Sequence, residues 1–203
     1  MRTAMRLLFR IIFSMSVMCV IPPANASDNW QPGRKFIGLQ AGWGEGFSLG
    51  FSGNGDGRRA EYIAILPQIG MDISGLVGTG RWYQGNLDAI LEAEYFHQQA
   101  PGNSGFSAGG ALILRYNARH WRRWSPYLEA GIGMGYLDFD LRDQDDGLVF
   151  YPQVGIGANV RLTKNLAFNA GWRFHHMSNA GTRLPNNGIN ANVFLLGFMV
   201  SWH

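Results

Sequence analysis

The sequence predicts an all-β protein: an eight-stranded antiparallel transmembrane β-barrel of the outer-membrane type. Three features carry that prediction. The chain opens with an export signal, contains no later apolar run as long as a membrane helix, and alternates with a period of two through most of its length.

The signal comes first. Arg2, Arg6 and Arg10 make a basic start, and Ile11 to Ile21 is an apolar run too short for a bilayer helix, which takes about 20 residues. Ala24-Asn25-Ala26 supplies the small-x-small cleavage pattern, so residues 1–26 read as a signal peptide and residues 27–203 as a single exported domain. Cys19 does not read as a lipoprotein cysteine, because Met18 stands where such signals carry a small residue. Removing the leader removes this lone cysteine, and with it any disulfide framework or thiol nucleophile. It also changes the charge. Three of the 17 Lys and Arg lie in the leader and none of the 14 Asp and Glu do, which leaves 14 against 14 and no basic surplus to suggest a nucleic-acid partner.

The alternation then separates a membrane barrel from a soluble sheet. Candidate strands fall at about 33–44, 58–73, 83–98, 105–118, 125–141, 148–162, 166–178 and 190–202. In the third, Leu87, Ala89, Leu91, Ala93 and Tyr95 oppose Asp88, Glu92 and Glu94. In the fifth, Leu128, Ala130, Ile132, Met134 and Tyr136 oppose Glu129 and three glycines. In the sixth, Pro152, Val154, Ile156, Ala158, Val160 and Leu162 oppose Gln153, Asn159 and Arg161. The last strand sets Phe194, Leu196, Phe198, Val200 and Trp202 against Gly197, Ser201 and His203. A soluble sheet would turn its apolar face to a core, yet the polar faces here hold Glu92, Glu94, Arg115, Asn117, Glu129, Gln153, Arg161 and Arg173, which suit the filled interior of a small barrel. Glycines on that inner face relieve crowding.

An even strand number places both termini on the periplasmic side. The turn Thr163-Lys164-Asn165 is then periplasmic, while the glycine-rich Gly53 to Gly57 stretch and the acidic Asp143-Gln144-Asp145-Asp146 loop are extracellular. Trp43, Trp82, Trp121, Trp124, Trp172 and Trp202 read as interfacial girdle residues, and Arg119-His120-Trp121-Arg122-Arg123 as a basic turn near headgroups.

One segment breaks the pattern. On the seventh strand the apolar face runs Leu166, Phe168, Ala170, Trp172 and Phe174, and continuing by two puts His176 and Ser178 on that face, with His175 inside. Polar groups facing lipid are costly and are functional by default. Same-face neighbours lie roughly 6.6 Å apart along a strand, within reach for an imidazole base and a hydroxyl nucleophile. The spacing alone is a weak motif and better fits a strand that has left the membrane and carries two solvated rim residues.

The surrounding residues are more specific. His176-Met177-Ser178-Asn179-Ala180-Gly181, followed by Pro185-Asn186-Asn187-Gly188-Ile189, resembles the lipid A 3-O-deacylase (PagL) family, as do Pro126 to Gly133 and Phe150 to Gly157. The resemblance implies an outer-membrane esterase that removes the 3-O-linked acyl chain of lipid A in the outer leaflet. It implies no metal or organic cofactor, His176 and Ser178 as catalytic residues, Asn179 and Asn186 as residues important to activity, and Phe150 as an aromatic beside the site. The family pattern has a glutamate where this sequence has Asn190. By parity Asn190 shares the outer face with Phe194 and Leu196, and its amide oxygen can still accept from an imidazole nitrogen and fix the tautomer. A neutral amide stabilises the imidazolium less than a carboxylate does. Two other readings of the chain are a non-catalytic structural or adhesive barrel, and an esterase directed at phospholipid.

Overall fold

The computed structural model describes residues 33–47, 60–99, 105–118, 123–139 and 141–203. The leader expected at 1–26, the Gly53 to Gly57 stretch, Trp121 and most of the basic turn before Arg123 lie outside them.

Eight strands follow in chain order: β1 (Lys35–Phe47), β2 (Glu61–Asp72), β3 (Gly85–Gln98), β4 (Phe106–Ala118), β5 (Trp124–Asp138), β6 (Gly147–Arg161), β7 (Leu166–Met177) and β8 (Ile189–Trp202). Each pairs antiparallel with its neighbour in sequence, and β1 pairs with β8, so the sheet closes and leaves no free edge. The eight predicted strands are borne out, with ends displaced by up to three residues: β2 starts at Glu61 rather than 58, and β5 stops at Asp138 rather than 141. β1 runs three residues past the expected stop at 44, through Glu45, Gly46 and Phe47. Its glycines look like loop in the sequence, but Gly42, Gly44 and Gly46 all face inward, and the Tyr62 ring fills the space a side chain at Gly44 would need.

The outward face is predominantly apolar on the strands. Leu112 (66 % exposed), Ile132 (63 %) and Leu128 (62 %) are typical of it, and an apolar surface this continuous belongs in lipid rather than in water. Polar side chains alternate inward, as expected. Arg173 occupies the middle of the barrel, donating to Glu129 at 2.9 Å, Glu92 at 2.5 Å and Gln153 at 2.8 Å, while Arg115 bonds Glu129 at 2.9 Å. Below it the network continues through Gln68, Gln40, Asn169, Asn159 and Asn117 to Asp88, which takes Arg34 at 3.2 Å. Buried charges of this kind hold only when each has a partner.

The interior is not polar throughout. Toward the end that carries the loops after β1, β3, β5 and β7, it is filled by Tyr62, Leu66, Phe96, Leu137, Val149, Tyr151, Met177 and Ile189. At this end both faces of the sheet are apolar, so alternation in hydrophobicity fades. That is why the sequence underlines the charged middle and hides the apolar cap. The tryptophans fall at two levels: Trp43 and Trp172 both lie opposite Phe194 toward the loop end, and Trp124 and Trp202 lie at the end carrying the termini.

Candidate active site

β7 ends by carrying its outer face up to the loop rim. Trp172, Phe174 and His176 point outward and are half-buried, whereas Arg173, His175 and Met177 are buried inside. The parity read from the sequence is therefore realised. His175 lies in the interior between Phe96 and Tyr151, with Glu94 at 3.8 Å.

His176 pairs directly across the β7–β8 ladder with Asn190, so the two side chains share a face and stand close together. Nδ1 of His176 and Oδ1 of Asn190 are 2.7 Å apart. A carbonyl oxygen only accepts, so Nδ1 donates this bond, and in the tautomer it selects Nε2 is the nitrogen left to accept. Asn190 is 5 % exposed. Phe47 is its partner on the β1 side, and Phe47 packs edge-on against Phe174 with ring centres 6.0 Å apart. The Asn190 amide is thus walled off from water, which strengthens its bond to the imidazole.

Ser178 follows the last residue of β7 and remains half-buried. Two backbone bonds hold it against Phe150, from Phe150 N–H to the Ser178 oxygen at 2.8 Å and from Ser178 N–H to the Phe150 oxygen at 3.2 Å. Directly opposed residues share a face, so Phe150 stands beside Ser178. Between this bridge and the Gln153–His175 pair the β6–β7 ladder lapses. The alternation of bonded pairs puts Pro152 opposite His176, where it has no N–H to give. The Ser178 hydroxyl oxygen accepts from Ala180 N–H at 3.1 Å. No hydrogen bond joins Ser178 to His176 in this state.

The loop from Ser178 to Gly188 is tied together by its asparagines. Asn179 is fully buried, its Oδ1 accepts from Gly181 N–H at 3.0 Å, and its Nδ2 donates to the Arg183 oxygen at 3.1 Å. Asn186 Oδ1 accepts from Asn179 N–H at 3.0 Å. Both are residues that favour such local turns. Gly188 closes the loop against the imidazole. Its φ is +69°, and a Cβ there would come within 2.8 Å of His176 Cε1, so only glycine fits.

Two residues of this neighbourhood escape sequence reasoning. Gln144, in a loop that reads as acidic and solvated, is buried and accepts Gly188 N–H at 3.0 Å. The same loop bonds Asp145 N–H to the Pro185 oxygen and Asn187 N–H to the Asp143 oxygen, both near 2.9 Å. Asn192, next on the outer face of β8, accepts from Trp172 Nε1 at 3.1 Å, so one girdle tryptophan also has a polar partner inside the sheet surface. Parity would have placed Asn192 outward, but nothing in the sequence pairs Gln144 with a glycine so far along the chain. Among the described residues no group of three or more His, Cys, Asp or Glu is placed to hold a metal ion.

Fold and site together define a transmembrane β-barrel of outer-membrane type that carries a histidine, a serine and an asparagine on its outward surface near one rim. A sequence profile of the lipid A 3-O-deacylase (PagL) family matches residues 68–199, and the chain belongs to that family. Among solved structures, the outer-membrane enzyme PagL superposes with a TM-score of 0.53 at 20 % identity, covering 81 % of this chain and 98 % of that one. Neisserial surface protein A (NspA) superposes with a TM-score of 0.56 at 15 % identity, over 83 % and 97 %. The attachment invasion locus protein Ail of Yersinia pestis gives 0.51 at 10 % identity, over 84 % and 99 %. At these identities the structures share the barrel. No curated protein sequence matches the chain.

Proposed function

We propose that the protein is an outer-membrane serine esterase that hydrolyses the 3-O-linked acyl ester of lipid A, with residues 1–26 as its export leader and residues 27–203 as the enzyme. Family membership supports the substrate. The observation that carries the chemistry is the 2.7 Å contact between His176 Nδ1 and Asn190 Oδ1 on the outward face, beside the half-buried Ser178.

His176 Nε2 takes the Ser178 hydroxyl proton as Oγ attacks the ester carbonyl. The resulting oxyanion collapses, and the sugar 3-oxygen leaves with the proton returned by His176. Water, activated by the same imidazole, then hydrolyses the acyl-serine and releases the 3-hydroxy fatty acid. Asn190 holds the ring in the tautomer this requires and steadies the imidazolium. Asn179 has its amide committed to the loop, so its part is to shape the backbone around Ser178. Asn186 spends its oxygen on Asn179, and the donors to the oxyanion come from its Nδ2 or from the loop backbone N–H groups. Phe150 flanks the serine on the side where an acyl chain would lie. The seventh strand ends at the extracellular rim, the level at which a lipopolysaccharide ester sits in the outer leaflet, so substrate arrives sideways without leaving the membrane.

Mass spectrometry of lipid A from cells producing the wild type or Ser178→Ala tests this. The wild type should remove one 3-hydroxyacyl chain and the variant none, with both barrels folded in the membrane. Equal acylation in the two would overturn the proposal. Release of fatty acid from glycerophospholipid with lipid A untouched would redirect the same chemistry to phospholipid.

A further inference from the structure

β8 carries one outward amide that the proposed reaction does not use. Away from the loop rim, the outward pairs that follow His176 and Asn190 are Phe174 with Asn192, then Trp172 with Phe194. Asn192 therefore lies one cross-strand pair beyond Asn190, roughly 6.6 Å along the strand. A strand tilt of about 35–45° makes this roughly 5 Å along the barrel axis. The next pair is already at the level of the girdle tryptophans, since Trp43 also lies opposite Phe194. Asn192 thus sits between the ester-cleaving groups and the girdle, where the oxygen-bearing heads of acyl chains give way to hydrocarbon.

The amide is held in one orientation. Trp172 Nε1 donates to Asn192 Oδ1 at 3.1 Å. An indole N–H only donates, so the carbonyl end of the amide is the end that must face it. Oxygen and nitrogen diverge from Cγ, which turns Nδ2 away from the indole. Among the described residues the indole bond is the one hydrogen bond of this side chain, and Glu45, its partner on β1, stands beside it without bonding it. An amide donor on a face that meets lipid is unfavourable when it is left unpaired. The acceptor it lacks within the protein is one that a lipid can bring.

We propose that Asn192, its amide oriented by Trp172, is a specificity-determining residue: Nδ2 donates to the hydroxyl oxygen on the third carbon of a substrate acyl chain, so that the site prefers 3-hydroxyacyl lipids to plain acyl lipids. The role rests on the esterase reading of the outward site, which sets the ester carbon at Ser178 and His176. The C3 hydroxyl lies two carbons beyond an ester carbonyl, on the hydrocarbon side, and the step from Asn190 to Asn192 runs in that same direction. Phe174 beside Asn192 and Phe194 beyond it give the methylene groups that follow the hydroxyl an apolar bed. A site that offers a donor to a substrate hydroxyl discriminates against the analogue without it, because the donor is then left unpaired.

The test compares two synthetic 3-O-acyl glucosamine lipids of equal chain length, one with C3 hydroxyls on its acyl chains and one without, given to the purified barrel in the same detergent. The wild type should hydrolyse the hydroxylated lipid with a kcat/KM about tenfold above the other, and Asn192→Leu should bring that ratio to within about twofold of one. The ratio is read within a single preparation, so a change in the folded fraction does not move it. A wild-type ratio near one, or a ratio that Asn192→Leu leaves as it was, would overturn the proposal while the esterase reading stands. Binding of the same two lipids to Ser178→Ala supplies a readout without turnover, followed at the Trp172 Nε1–H resonance, which Trp172→Phe identifies by its loss. Tighter binding of the hydroxylated lipid, abolished by Asn192→Leu, upholds the recognition even where neither lipid is cleaved, a result that counts against the esterase reading alone. Equal binding of the two lipids by a protein that cleaves neither overturns both.

Discussion

At the scale of single residues, the site turns on what stands against the imidazole. Asn190 gives His176 Nδ1 a fixed acceptor at 2.7 Å, a neutral group in the place that the proposed triad assigns to its third member. A hydrogen bond to a charged acceptor is roughly twice as strong as one to a neutral acceptor, and the difference is largest when the imidazole is protonated in the transition state. Asn190→Glu should therefore raise the rate of 3-hydroxy fatty acid release by about tenfold, and Asn190→Ala should lower it by at least that factor. Initial rates on purified lipopolysaccharide decide this. A glutamate variant slower than the wild type, in an intact barrel, would show that the pocket between Phe47 and Phe174 is built for the amide. Parity alone marked His176 and Ser178 as an outward polar anomaly, which a period of two exposes, and reading them as a site took the family resemblance of the residues around them. Asn190 became legible only through the family pattern and the same parity. Gly188 could be recognised as a loop residue, but its closeness to His176 belongs to the folded loop.

At the scale of elements, the β7–β8 loop is held by a loop it does not follow in sequence. Gln144, between β5 and β6, accepts the N–H of Gly188, and that glycine packs on the His176 ring. Gln144→Ala would leave this N–H without its partner, a loss worth about 1–3 kcal/mol where the group is buried. The expected outcome is a three- to tenfold fall in esterase rate with faster proteolysis between Ser178 and Gly188 and an unchanged melting temperature for the barrel. Unchanged rate and unchanged proteolysis would mean that the loop holds its shape through Asn179 and Asn186 alone. The strands themselves were legible to within a few residues, since each has one apolar and one polar or glycine face. β1 was misjudged at its far end because a run of inward glycines carries no alternation signal. The loop-to-loop bridge was not legible at all, because hydrogen bonds between distant turns have no period.

At the scale of the whole molecule, the barrel is stabilised from within by charges that cannot be left alone. Arg173 reaches Glu92, Glu129 and Gln153 and is 2 % exposed. Arg173→Leu takes the paired cation from Glu92 and leaves Glu129 with Arg115 alone, and should lower the unfolding free energy by about 3–5 kcal/mol, read from urea unfolding in lipid vesicles. A loss below about 1 kcal/mol would mean that the acids simply take up protons or water. The site on the outer surface should keep its rate in the fraction that folds, since no contact of Arg173 reaches it.

The sequence by itself determined the all-β architecture, the strand number and which face of each strand meets lipid. Each of these follows from a local rule: side chains alternate, and the face that cannot be solvated must be apolar. The tertiary structure alone decided which residues of different strands and loops meet. It brought Asn190 opposite His176 by register, seated Gly188 on the imidazole through Gln144, and filled one end of the interior with apolar side chains. Such meetings depend on closure of the sheet and on distances across it. No window along a single strand contains them.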